Sequence, residues 1–246
     1  MDYATRTVGE VAADLPQSTR VFEKYGIDYC CGGKKPMAEA CESAGVSVDS
    51  VVEQIAREVN DSQQRGQAGD WSRVSLRDFI SHVVQTHHVF TRESFARLLP
   101  LSVKVSGKHG ERRPELLRVH QLVNELAQEL GPHLMKEEQI LFPFVTMMED
   151  ASKANGEMPA LPFGTLQNPI RMMMMEHEQA GGILAELRKV TGGYALPEDA
   201  CMSYQAFFHG LEELEKDLHQ HIHLENNVLF PRSVRLEETF ATAHTS

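Results

Sequence analysis

His133-Leu134-Met135-Lys136-Glu137, leading into Leu141-Phe142-Pro143, and His221-Ile222-His223-Leu224-Glu225, leading into Leu229-Phe230-Pro231, are one pattern written twice, 88 residues apart. In each block a histidine and a glutamate stand four residues apart, the spacing that stacks two side chains on one face of an α-helix. An imidazole beside a carboxylate is a chelating pair. Around the first block, Leu116, Val123, Leu126, Leu130, Leu134, Ile140, Leu141, Phe144 and Met148 recur mainly at steps of three and four. Phe207, Phe208, Leu211, Leu214, Leu218, Ile222 and Leu229 do the same around the second, so both pairs fall on stripes that helices bury. Segments at about 75–99 and 167–191 join those at about 113–150 and 197–231, with breaks expected at Pro100, Gly107, Gly110, Gly156, Pro159, Pro162, Gly164, Gly192 and Gly193. Four long amphipathic helices in series predict an all-α chain built on a four-helix bundle. Gly131-Pro132 predicts a kink or a π-type bulge immediately before His133, or equally a plain helix break, because proline removes an N–H and crowds the preceding turn.

A carboxylate on an apolar stripe must be paired, protonated or metal-bound, since burying it alone costs on the order of several kcal/mol. Two such carboxylates facing each other repel, and a pair of divalent cations bridged by both removes the conflict. Nitrogen and oxygen donors with open positions in a helical bundle favour iron or manganese over a closed structural zinc site. The third helix offers His177, among Ile170, Met173, Met174, Leu184 and Leu187. The first helix offers His82, His87 and His88, of which helical phase prefers His87, near the centre of the stripe Leu76, Phe79, Ile80, Val83 and Phe90. Glu129, one turn before His133, and Glu176, next to His177, are candidates for a supporting or proton-relay role, although both fit equally well as solvated helix charges. Met172 to Met175 point in different directions around a helix and read as core packing. His109, His209, His219, His223 and His244 read as surface residues, and packing accounts for His120 as well as ligation does.

The 246 residues allow one full-sized domain and a smaller appendage. Short apolar segments punctuated by proline and glycine over 1–59 predict a small helical domain. A polar linker follows over 60–75, and the bundle occupies 76–246. No apolar run reaches the roughly 20 residues that cross a bilayer, and the start shows no signal-peptide pattern, so a cytoplasmic protein with reduced thiols is expected. The net charge of −11 argues against nucleic acid or an anionic membrane as partner.

Four stretches, Asp28 to Lys34 (DYCCGGK), His133 to Pro143 (HLMKEEQILFP), Met175 to Gly181 (MEHEQAG) and Leu224 to Arg232 (LENNVLFPR), resemble the repair-of-iron-centres family, over Val8 to Arg232. The resemblance implies a hemerythrin-like four-helix bundle holding two non-haem iron ions, oxo- or hydroxo-bridged when oxidised, with a small N-terminal helical domain. By motif it implies the ligands His88, His133, His177 and His221 with Glu137 and Glu225 as bridges, choosing His88 where phase prefers His87. It implies repair of iron-sulfur clusters after oxidative or nitrosative stress, with damaged iron-sulfur proteins or a scaffold as partners and nitric oxide as small ligand; a homodimer stays open. Oxygen-carrying hemerythrins bear a second histidine where this chain has Gly181, and an aspartate five after the last histidine where this chain has Glu225 four after. A more open metal follows. A di-iron nitric oxide reductase or peroxidase, and an oxygen or redox sensor, are the alternative functions.

Cys30 and Cys31 precede Gly32-Gly33, Lys34, Lys35 and Pro36, the last expected at the first position of a helix. The lysines and the positive helix end are expected to lower a thiol pKa and create a reactive thiolate. The family reading makes the pair redox-active or transfer groups that reach the di-iron site. Cys41 and Cys201 read as structural.

Overall fold

The computed structural model describes residues 3, 5–65, 71 and 73–243, with the side chains of 60–65 and 241–243 left aside. Eight helices account for nearly all of it: α1 (Val8–Asp14), α2 (Ser18–Tyr25), α3 (Met37–Ser43), α4 (Val48–Arg65), α5 (76–109), α6 (115–153), α7 (Gln167–Val190) and α8 (202–243). Among the described residues there is no strand, only an isolated bridge between Thr7 and Pro36. Three helices contain a π-helical stretch: Val83–His88 in α5, Glu137–Leu141 in α6 and Glu225–Leu229 in α8. The chain groups into two compact units, one of residues 1–80, 145–160 and 219–246, the other of 81–144 and 161–218.

The second unit is a four-helix core. Leu98 and Val105 from α5, Leu116, Leu122, Leu126 and Leu130 from α6, Leu184 and Leu187 from α7, and Phe207, Leu211 and Leu218 from α8 form one buried cluster. The three- and four-residue steps read from the sequence are what align these residues on facing stripes. Gly210 lets α8 approach α5 closely, since a Cβ there would lie 2.7 Å from Leu98 Cδ2. α7 ends where Gly192 and Gly193 take positive φ, and the Gly193 N–H returns 2.7 Å to the Arg188 carbonyl, a glycine-dependent helix stop.

In the first unit, Val8, Val11, Phe22, Ile27, Tyr29, Met37, Cys41, Val51 and Ile55 make a separate core beneath α1 to α4. Thr7 and Glu10 form a reciprocal capping box on α1. The free N–H groups at the start of α5 are met by a side chain from α6: Glu149 accepts from Leu76 N at 2.7 Å and Arg77 N at 3.2 Å. Arg232 donates to the carbonyls of Trp71 and Val74, and Trp71 stacks on Phe79.

Several expectations need correction. α5 runs through Pro100 and Gly107 to His109: an internal proline removes one backbone bond, while Leu98, Ser102 and Val105 stay buried on either side of it. The helix around Pro132 is regular; the widened turn begins after His133, at Glu137. Ile140, inside that turn, is 44% exposed because the extra residue rotates it off the stripe. Pro36 caps α3 rather than opening it. Of the expected linker, 60–65 continues α4, and 66–70 and 72 lie outside the described residues.

Candidate metal centre

Of the predicted donors, His88, His133, Glu137 and His177 belong to the second unit and His221 and Glu225 to the first. All six are at most 1% exposed. In the second unit, Glu137 Oε2 lies 3.4 Å from His133 Nε2 on its own helix and 3.5 Å from His88 Nε2 on α5. His177 Nε2, on a regular turn of α7, lies 3.0 Å from His133 Nε2. The donor atoms of His133, Glu137 and His177 all fall within 4.8 Å of one another. In the first unit, His221 Nε2 lies 3.1 Å from Glu225 Oε1, the same chelating pair one repeat later.

These spacings fit a metal ion. Two ligands at right angles on bonds of about 2.1 Å stand about 3.0 Å apart, and the observed separations are of that size. Two imidazole nitrogens and a carboxylate are a donor set for a borderline transition metal.

Two of the histidines, His88 and His133, are held in the tautomer that metal binding needs. His88 Nδ1 lies 2.6 Å from Glu138 Oε1 and His133 Nδ1 lies 2.8 Å from Glu176 Oε2. An ionised carboxylate only accepts, so each Nδ1 carries the hydrogen and each Nε2 keeps its lone pair for the cluster. Each carboxylate is in turn paired with a cation, Glu138 with Arg92 at 2.9 Å and Glu176 with Lys136. Burial pushes the Glu138 carboxyl up, but hydrogen bonds from His88 and Arg92 outweigh it and hold it below the ordinary carboxylate range. The same balance, with Lys136 and His133 as donors, keeps Glu176 low and ionised.

Glu176 therefore sits against a predicted ligand, whereas Glu129 is exposed to solvent and outside the cluster. Glu138 was missed by sequence reasoning; the visible signal is the Glu137-Glu138 doublet. On the first helix His87 is buried, but its Nδ1 faces Asp217 at 2.9 Å, and His88 is the one beside Glu137. His82 is half-buried, with its pKa lowered by burial and by His87. His120 is held by Ser102 and Asn124.

His223, expected at the surface, is buried: its ring meets Tyr29 edge-on and burial lowers its pKa to about 4. His219 is half-buried against Glu23 at 2.7 Å and His109 lies 3.4 Å from Cys201 Sγ. His209 is exposed, and His244 lies outside the described residues. For Cys30 the expectation of a lowered thiol pKa also needs correction. Cys30 is buried, and the hydrogen-bonded Cys31 thiol, burial and the Asp28 carboxylate push its pKa well above the ordinary thiol value. Lys34 and Lys35 point into solvent, where a charge is screened. All four cysteines are free thiols, Cys41 in the first unit's core. No helix among the described residues is long and apolar enough to cross a membrane.

Residues 78–233 match the hemerythrin HHE cation binding domain, and residues 4–58 match a domain of unknown function, DUF542. A probable iron-sulfur cluster repair protein of Haemophilus influenzae is 34% identical over 232 residues, covering 94% of this chain and 98% of that protein. The iron-sulfur cluster repair protein YtfE of Salmonella schwarzengrund is 34% identical over 235 residues, covering 95% of this chain and 99% of that protein.

Proposed function

The chain belongs to the iron-sulfur cluster repair proteins that join a DUF542 segment to a hemerythrin-type cation-binding domain, and from that premise we propose that it repairs damaged iron-sulfur clusters using two iron ions bound in its bundle. The observation that carries the reading is Glu137, a fully buried carboxylate lying between imidazole nitrogens of α5 and α6. Cations beside a carboxylate so placed would offset the cost of burying its charge. By the family motif we assign His88, His133, His177 and His221 as the ligands that would hold the ions, with Glu137 and Glu225 as the bridges. Residues 76–246 are then the metal-binding bundle and 1–59 the cysteine-bearing module.

Bound there, iron supplies redox chemistry and open positions for a small ligand, for which we propose nitric oxide. The protein's own contribution is orientation. Glu138 and Glu176 keep the protons of His88 and His133 on Nδ1, so that each Nε2 would offer its lone pair to an ion. A donor set with Gly181 where oxygen carriers have another histidine would hold iron loosely enough for it to leave as cargo. Damaged iron-sulfur proteins are the proposed partners. The cytoplasm, the compartment of reduced thiols, is the proposed place of action, in keeping with four free cysteines.

Iron quantification with Mössbauer spectroscopy tests the reading: about two coupled irons per chain are expected, lost in both His133→Ala and Glu225→Ala. The loaded protein should also restore activity to a cluster enzyme inactivated by nitric oxide. Repeated conversion of nitric oxide to nitrous oxide with no restoration would replace repair by a reductase activity.

A further inference from the structure

The π-helical stretch Glu225–Leu229 has a second set of contacts. Asn226 Nδ2 donates to the Cys30 carbonyl at 3.3 Å, and Asn227 Nδ2 donates to the Tyr29 carbonyl at 3.1 Å. From the other side, Asp28 Oδ1 accepts from the N–H groups of Cys30 at 3.1 Å and Cys31 at 3.0 Å. The cysteine turn is thus tied by its N–H groups to its own segment and by its carbonyls to α8. Asn227 is also confined: a Cβ on Gly9 would lie 2.5 Å from its Oδ1, and one on Gly33 would lie 2.9 Å from it. Those glycines are what let an amide fit there. On a regular helix adjacent residues diverge; here the widened turn lets Asn226 and Asn227 both reach the cysteine turn, while Glu225 just before them is fully buried.

We propose that Asn226 and Asn227 are positioning residues that make the seating of the Cys30–Cys31 turn and the setting of the Glu225 carboxylate one coupled equilibrium. An ion on Glu225 fixes the π turn and closes the cysteine turn over Cys30; losing the ion loosens both. Coupling of this kind is reciprocal, so the factor by which metal protects Cys30 is the factor by which modifying the cysteines weakens the hold on metal. The proposal rests on the reading of Glu225 as a metal ligand.

The test uses the full-length protein, loaded with ferrous iron or stripped with a chelator, with iron measured in each sample. Alkylation of Cys30 by iodoacetamide is followed by peptide mass spectrometry, and Cys201 serves as internal reference. Loading should slow Cys30 alkylation about fivefold or more and leave Cys201 unchanged. In the Asn226→Ala/Asn227→Ala double variant Cys30 should react at the fast rate in both states. Gly9→Ala, whose Cβ would press on Asn227 Oδ1 and on the Gly33 carbonyl, should act in the same direction, and the single Asn226→Ala variant stands in should the double variant fail to fold. Equal rates in loaded and stripped wild type, or protection that survives these variants, overturns the coupling. A chain that takes up no iron overturns the metal reading instead, and the iron measurement separates the two.

Discussion

Replacing Glu138 with alanine should weaken iron binding although Glu138 is not assigned as a ligand. The carboxylate lies 2.6 Å from His88 Nδ1 and 2.9 Å from Arg92 Nη2, so its removal frees the His88 ring to rotate and to move its proton to Nε2. Loss of such a supporting partner typically costs about 10- to 100-fold in metal affinity. The Glu138 side chain is 26% exposed, so water replaces the lost acceptor in part and the lower end applies, about 10- to 30-fold or roughly 1.4–2 kcal/mol. Glu138→Gln keeps an acceptor oxygen and loses the charge, so it should cost about half as much free energy. Glu129→Ala, at an exposed position, should cost nothing measurable. Competition for ferrous iron against a chromogenic chelator gives all three affinities, with circular dichroism confirming the helices. An alanine variant within twofold of wild type would refute the assignment, and so would a glutamine variant as weak as alanine.

Leu126→Ala opens a cavity at a fully buried position of the four-helix core and should lower unfolding free energy by about 2–5 kcal/mol, read as a lower urea midpoint at unchanged slope. Glu149→Gln should destabilise the start of α5 by about 1–3 kcal/mol through its capping bonds, seen as earlier amide exchange at Leu76 and Arg77. Burial raises the Glu149 carboxyl, but bonds from Leu76 N, Arg77 N and Lys153 bring it below the ordinary value. Its contribution is therefore present above the unfolded pKa and lost as pH falls through the folded one, and the acid-side decline should be shallower in Glu149→Gln than in wild type. The backbone N–H of Tyr204 lowers the Cys201 pKa, so alkylation near neutral pH should reach Cys201 before Cys30, with the order read by peptide mass spectrometry.

The bundle was legible because burial follows period: the stripes around Leu116–Met148 and Phe207–Leu229 hold in the structure nearly residue for residue. The chelating pairs were legible for the same reason, since a buried stripe rarely tolerates histidine and glutamate four apart unless a cation sits beside them. The misreadings at His87, Ile140 and Glu138 share one cause. A phase count at a constant step per residue chose His87, but Val83–His88 is π-helical, and the slower rotation brings the next residue, His88, to the inner face. Ile140 was placed on the stripe by the same count. Glu138 was missed despite the Glu137-Glu138 doublet because a regular helix would turn it away from His88. His223 failed differently: nothing local marks it, and its burial comes from Tyr29, far away in sequence.

The π turns also account for how one helix serves two demands at a single point. Glu137 Oε2 faces His88 Nε2 and Glu138 Oε1 faces His88 Nδ1, so consecutive residues grip opposite edges of one imidazole. A regular turn, with adjacent side chains diverging by about 100°, would supply one contact and withdraw the other. In the second repeat the same device joins a buried glutamate to a different neighbour, with Asn226 and Asn227 in place of a second carboxylate and the cysteine turn in place of a histidine. A widened turn gives up regular hydrogen-bond geometry, so its appearance at both glutamates points to a requirement of the site rather than of the bundle. The two repeats share the buried histidine–glutamate pair and differ in the residues after it, which reach His88 in one and the cysteine turn in the other.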